Sequence, residues 1–326
     1  MAAEAAAGVK VLYLGGYSRS GSTILDCMLG QLPGFFSTGE LGYIWTHGVV
    51  ENRLCGCGAQ FFECPFWTEV GRVAFGGWDA IDGPRMIELD RRVRRHRFIP
   101  ALALGRSAPS HDGAAREHAA RYARVYEAVA AVAGNGVVVD STLDPSFAFL
   151  LSRAAELEVG VVHLVRDSRG TAFSWTKRIP RPDVTGPPGY LRTYRPASTA
   201  VRWTLDHSLF HLLGALAGRQ ILVRYESFVS RPAHELRRIA AYAGEDVADD
   251  DLAFVGSDSL RLGTDHTVAG NRMRFRRGDV PLELDDEWRT ALAVRDRRLV
   301  TAITWPLLRA YGYTRANGYG ASVTTS

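Results

Sequence analysis

Val11-Leu-Tyr-Leu-Gly-Gly-Tyr-Ser-Arg-Ser-Gly-Ser-Thr-Ile-Leu25 decides how the chain is read. Val11 to Leu14 form a short apolar, β-prone run. A turn rich in Gly, Ser and Arg follows, after which Ile24, Leu25, Met28, Leu29 and Leu32 recur at helical spacing. A strand that feeds a glycine-rich turn into a helix aims several backbone N–H groups at one spot, and the helix dipole favours an anion there. Gly16-x4-Gly21 has the spacing of a phosphate loop, but Ser22 stands where an ATP- or GTP-binding loop carries lysine. The cation is instead Arg19, two residues before Gly21.

Bulk properties narrow the field. The chain has 326 residues, enough for one large α/β domain or two small ones, with 46% hydrophobic and 23% charged residues. A net charge of +4 implies no general affinity for polyanions, so local basic clusters matter more than their sum. No stretch approaches the length needed to cross a bilayer, and the first ten residues carry no basic leader, so a cytoplasmic protein without membrane or nucleic-acid partners is expected.

A second segment, Val161-Val-His-Leu-Val-Arg-Asp-Ser-Arg-Gly-Thr-Ala-Phe-Ser174, has the pattern of a buried strand, then Arg166, then a helix with Ser174 eight residues after the arginine. With both segments in view, Tyr17-Ser-Arg-Ser-Gly-Ser-Thr23 resembles the 5′-phosphosulfate loop of the sulfotransferase superfamily. The Arg166–Ser174 spacing resembles its 3′-phosphate motif. The likeness covers about residues 10–280. It implies a P-loop-type parallel β-sheet flanked by helices, and the donor 3′-phosphoadenosine 5′-phosphosulfate (PAPS), which leaves as PAP. In this reading one domain runs over 1–326: the phosphosulfate loop and first βαβ in 8–40, an irregular aromatic, Cys-containing and basic acceptor-binding insert with helices in 42–134, the 3′-phosphate half in 135–280, and C-terminal helices and tail in 281–326.

The resemblance assigns roles residue by residue. Arg19, Ser20, Gly21, Ser22 and Thr23 would hold the phosphosulfate, with Arg19 also neutralising the leaving oxygen. Arg166 and Ser174 would take the 3′-phosphate, and Tyr225, within the strand expected over Gln220 to Glu226, would sit at the adenine. His266-Thr-Val-Ala-Gly-Asn-Arg-Met-Arg-Phe-Arg-Arg-Gly278 resembles the loop that folds over the nucleotide, so Gly270, Asn271 and Arg274 join the donor set. Glu40 follows Gly39 at the end of an apolar element, and the likeness makes it the base that deprotonates an acceptor hydroxyl. Relatives often place a Lys or His after the strand that here is Gly136-Val-Val-Val-Asp140, but this chain has Thr142 and Leu143. That departure puts weight on Glu40 and leaves His47, Asp140 and Asp144 as fallback bases. Each of these residues also has a plain structural reading: Glu40 as a turn carboxylate, Arg166-Asp167 as a surface pair, Tyr225 as a core aromatic. The acceptor, a hydroxyl on a small molecule, glycan or secondary metabolite, is not specified by any residue.

Other features complete the reading. Cys55, Cys57 and Cys64 lie close together, with His47 upstream, and a three-Cys, one-His zinc set is conceivable. The spacing is not that of a standard finger, however, and a compact Cys/aromatic loop is expected rather than a metal site, with buried thiols ahead of a single disulfide. The basic run Arg91 to Arg97 is read either as a solvated helix face or as a surface for an acidic acceptor. Ala114 to Ala133 is expected to be helical, with Tyr122, Val125, Val129 and Val132 on one face. Arg181 to Pro188 is expected to form a lid. Two other functions fit parts of the chain. A P-loop phosphotransferase would turn over ATP with Mg²⁺, and a catalytically silent nucleotide binder would bind PAPS without transfer.

Overall fold

A computed structural model describes residues 8–103, 109–179, 190 and 192–314. The first strand, β1 (Val9–Gly16), runs through the centre of a five-stranded sheet and leads through the turn into α1 (Ser22–Leu29). β2 (Phe35–Ser37), β3 (Val137–Leu143), β4 (Leu157–Val165) and β5 (Gln220–Arg224) complete it in the order β2-β3-β1-β4-β5. Every pairing in the sheet is parallel.

A parallel sheet must be covered on both faces, and the strands are correspondingly apolar throughout. Val11 and Tyr13 of β1 point into one core layer, whereas Leu12 and Leu14 point into the other. The first layer is filled from α2 (Pro65–Phe75), α3 (Gly83–Val93), α4 (Ile99–Ala103), α5 (Pro109–Ala133), α6 (Pro145–Leu151) and, beyond α7 (Ser168–Ser174), α8 (Pro196–Ala217). The second is filled from α1, α9 (Tyr225–Ser230), α10 (Pro232–Ala243) and an antiparallel hairpin, β6 (Ser259–Leu262) with β7 (Gly278–Pro281). α11 (Trp288–Ala291) and α12 (Val294–Ala310) end the described chain, and α12 packs on α7 and α8.

The insert is more regular than its sequence suggests. Trp45, Phe61, Trp67 and Trp78, all buried, pack together and against α5, and Trp78 Nε1 donates to Trp67 O at 2.7 Å. These aromatics therefore build a hydrophobic wing on the sheet. The basic run is split. Arg91, Arg95 and Arg97 are exposed, whereas the Arg94 side chain is 8% exposed and pairs with Asp144 at 3.1 Å and Asp90 at 3.3 Å. Arg94 is thus a structural cation joining α3 to the start of α6. Tyr225 opens α9 rather than continuing β5. Residues 282–311 form two separate helices with an extended lead-in. The expected lid at 181–188 and the tail after Asn317 lie outside the described residues, within which no helix is long and apolar enough to cross a membrane.

Candidate active site

All five parallel strands deliver a residue to one cavity at their carboxyl ends, where open α/β sheets bind ligands. Arg19 comes from the turn after β1, Glu40 from beyond β2, Leu143 ends β3, Arg166 follows β4 and Tyr225 follows β5. All five line a cavity of about 720 Å³. Gly21, Ser22, Thr23, His47, Ser174, Gly270 and Asn271 share it.

The loop after β1 is tightly determined. Arg19 and Gly21 adopt left-handed backbone, with φ of 73° and 85°. A Cβ on Gly21 would lie 2.6 Å from Tyr225 Cδ2, so only glycine permits both this conformation and this contact. The Arg19 guanidinium stands 5.0 Å from the Trp175 ring centroid, and Trp175 Nε1 donates to Ser18 O at 3.3 Å. Burial lowers the Arg19 pKa from its ordinary value, and the nearby charge of Glu40 acts the other way. Arg19 and Glu40 are therefore electrostatic neighbours on one wall.

Glu40 is positioned from two sides. Its N–H donates to Ala269 O at 3.1 Å, and Gly39 forms a parallel bridge with Ala269. Ser37 donates to buried Asp26 of α1 at 2.6 Å, which ties β2 to the loop's own helix. His47 stacks on Tyr43 with ring centroids 5.4 Å apart.

Arg166 lies across the second half of the cavity. It donates to Arg19 O at 3.1 Å, sits 4.5 Å from the Tyr225 ring centroid, and pairs with Asp285 Oδ2 at 3.0 Å. A carboxylate thus already occupies the anion-binding face of this arginine. Lys177 approaches the same carboxylate at 3.8 Å and pairs with Glu287 at 2.6 Å.

Four residues singled out in the sequence have side chains set away from the cavity or engaged elsewhere. The Ser20 side chain is 1% exposed and does not line the cavity. Arg274 is buried, donating to Thr267 O at 2.9 Å and Leu54 O at 2.8 Å, so it supports its loop from beneath; Arg272 and Arg276 face the cavity instead. Asp140 is sealed in the core, accepting from the Thr142 amide at 2.8 Å and from the Tyr126 hydroxyl. Burial raises its pKa to about 6, but it cannot reach an acceptor. Asp144 caps α6 through the Ser146 amide at 2.8 Å and pairs with Arg94, so it too has a structural task.

Sequence reading missed Lys177 and Arg178, and within the 266–278 loop it chose Arg274 over Arg272 and Arg276; Lys177, Arg178, Arg272 and Arg276 all line the cavity. Lys177 and Arg178 follow Ser174 within one turn, so continuing along that helix end would have found them. His47 faces the cavity, and His266 approaches the three cysteines in its place.

Residues 89–249 match the model of the sulfotransferase family. Over that span, just under half of its length, the chain has the sequence pattern of the sulfotransferase family. That match contains Arg166, Ser174 and Tyr225. The fold also resembles the sulfotransferase domain of the Synechococcus PCC 7002 olefin synthase, with a TM-score of 0.50 at 20% identity over 90% of this chain and 94% of that one. Further similar structures are the sulfotransferase domain from the curacin biosynthetic pathway (TM-score 0.47, 18% identity, 91% and 97% of the two chains) and the sulfotransferase STF9 from Mycobacterium avium (0.44, 14%, 94% and 78%). No curated protein matches the chain.

Proposed function

We propose that the chain transfers a sulfuryl group from PAPS to a hydroxyl of a small-molecule, glycan or secondary-metabolite acceptor, releasing PAP and a sulfate ester. One observation carries this reading: a single cavity is lined by the Arg19–Thr23 loop, by Arg166 with Ser174, and by Glu40. PAPS is a molecule with two anionic ends separated by a ribose, and such a cavity offers a cationic or hydroxylic group to each. Tyr225 beside Arg166 gives the adenine an aromatic neighbour.

In the reaction, the acceptor oxygen attacks sulfur as the bond from sulfur to the bridging phosphate oxygen breaks. The electron pair leaves on that oxygen, where the Arg19 guanidinium and the N-terminus of α1 offset the growing charge. The hydroxyl proton passes to Glu40. A sulfuryl group carries less negative charge than a phosphoryl group, so the work falls to positioning and to neutralising the leaving group. Leu143 offers no acid, base or cation at the end of β3, which adds weight to Arg19 and Glu40 as the catalytic residues of this reading.

The direct test supplies radiolabelled PAPS and a metabolite extract, followed by mass spectrometry of labelled products. Sulfate ester formation that needs the enzyme is the expected result. Phosphate transfer from ATP with Mg²⁺, without sulfate transfer, would overturn the proposal.

A further inference from the structure

We propose that Cys55, Cys57, Cys64 and His266 together bind one zinc ion in a closed, structural site. The ligand atoms of these four residues all lie within 4.8 Å of one another. Cys57 Sγ is 3.7 Å from Cys64 Sγ, and His266 Nδ1 is 3.2 Å from Cys64 Sγ and 3.8 Å from Cys55 Sγ. A tetrahedron with Zn–S near 2.3 Å and Zn–N near 2.0 Å has edges of about 3.5–3.8 Å, so these separations are close to those a bound zinc requires. They do not suit a disulfide, whose sulfurs lie about 2.05 Å apart. All three cysteines are free thiols.

The shell around the cluster is built. Cys55 and Cys57 flank Gly56, whose N–H donates to Thr267 O at 2.9 Å; a Cβ there would lie 2.4 Å from Thr267 Oγ1. Gly58 N–H returns to Cys55 O at 2.9 Å, folding the two cysteines toward one point. Phe66 stacks on the His266 ring with centroids 5.2 Å apart, and Trp67 Nε1 donates to His266 O at 2.8 Å. The stack holds the plane of the imidazole and the Trp67 bond holds its backbone, with Nδ1 toward the Cys55 and Cys64 sulfurs. Cys55 and Cys64 are buried, and none of the four residues lines the catalytic cavity. Four protein ligands with no opening toward substrate are the mark of a structural zinc, and a thiolate-rich set with one imidazole suits zinc.

The ion would staple two distant parts of the chain. Residues 55–64 belong to the insert, whereas His266 begins the segment whose Val268 donates to Thr38 O at 2.9 Å and whose Ala269 holds the Glu40 amide. Gly270 and Asn271 of that segment line the cavity. Metal binding at the cysteines therefore fixes the wall that carries Glu40.

The test does not depend on the donor or the acceptor. The full chain, expressed in zinc-containing medium and purified under reducing conditions without chelator, is analysed by elemental mass spectrometry and by cobalt substitution. About one zinc per chain is expected, with Co²⁺ giving the visible bands of a tetrahedral thiolate site. Cys57→Ser and His266→Ala should hold less than about a tenth of that metal. His266→Cys, which restores a fourth soft ligand, should retain zinc, as should Cys27→Ser. Chelation should lower the melting temperature, and zinc but not magnesium should restore it. A folded wild type that neither contains nor takes up zinc would overturn the site. So would folded Cys57→Ser or His266→Ala protein with undiminished zinc, stoichiometric iron in place of zinc, or a Cys57–Cys64 disulfide under these conditions.

Discussion

Glu40 is held from both flanks before any substrate arrives. Its amide is bonded to Ala269 O, and its strand is pinned to α1 through the Ser37–Asp26 hydrogen bond. An unaided alcohol is a poor nucleophile at neutral pH, so a positioned base is needed, and in the proposed reaction Glu40, the electrostatic neighbour of Arg19, takes that part. Glu40→Gln keeps size and shape while removing basicity. Turnover should fall by roughly 10²–10⁴, with PAP affinity changed little. His47 lines the same cavity, so kinetics of His47→Ala in parallel separate the two. Near-normal turnover in Glu40→Gln with loss in His47→Ala would move the base to the histidine. Asp140 was a reasonable candidate in sequence because it ends a run of valines. Only the fold reveals that Thr142 and Tyr126 consume its carboxylate.

At the level of elements, the β4–α7 junction and the segment leading into α11 compete for one arginine. Arg166 is placed by β4, and Asp285 reaches it from the other side of the cavity. A 3′-phosphate would take the place of the Asp285 carboxylate. Arg166→Ala should weaken PAP binding by about 1.5–3 kcal/mol, roughly 10- to 150-fold, and leave a nucleotide without the 3′-phosphate almost unaffected. Asp285→Asn should act in the opposite direction, strengthening PAP binding up to about fivefold, since a partly exposed pair of this kind is worth at most about 1 kcal/mol. Calorimetric titration of both variants checks the pair of signs. Equal losses for both nucleotides in Arg166→Ala would make the arginine structural. The strand–turn–helix at Val11–Leu25 and the Arg166–Ser174 spacing were legible because each is a local pattern. The roles within Arg272 to Arg277 were not, since the tight turn over Arg272–Phe275 buries Arg274 and exposes Arg272 and Arg276. Four nearby arginines look alike until Leu54 O and Thr267 O claim one of them.

Across the whole molecule, the parallel sheet gathers residues far apart in sequence onto one edge, and the insert is bound to that edge through His266. The α/β class and the position of Glu40 beyond β2 could be read from apolar runs and glycines. The meeting of His266 with cysteines about 200 residues earlier could not, because contact between distant segments leaves no periodic trace. The hairpin β6–β7 escaped for a similar reason: its short strands frame the basic loop and lack a long apolar pattern. The central claim is that this assembly holds a donor with a 3′-phosphate, using Arg19 and Arg166 and no lysine after Gly21. Melting temperature measured with equal concentrations of PAP or of ATP with Mg²⁺ tests it most directly. At a hundredfold excess over its Kd, PAP should raise the midpoint by about 5 °C, and ATP with Mg²⁺ should raise it far less. Stabilisation by ATP equal to or greater than that by PAP would contradict the account.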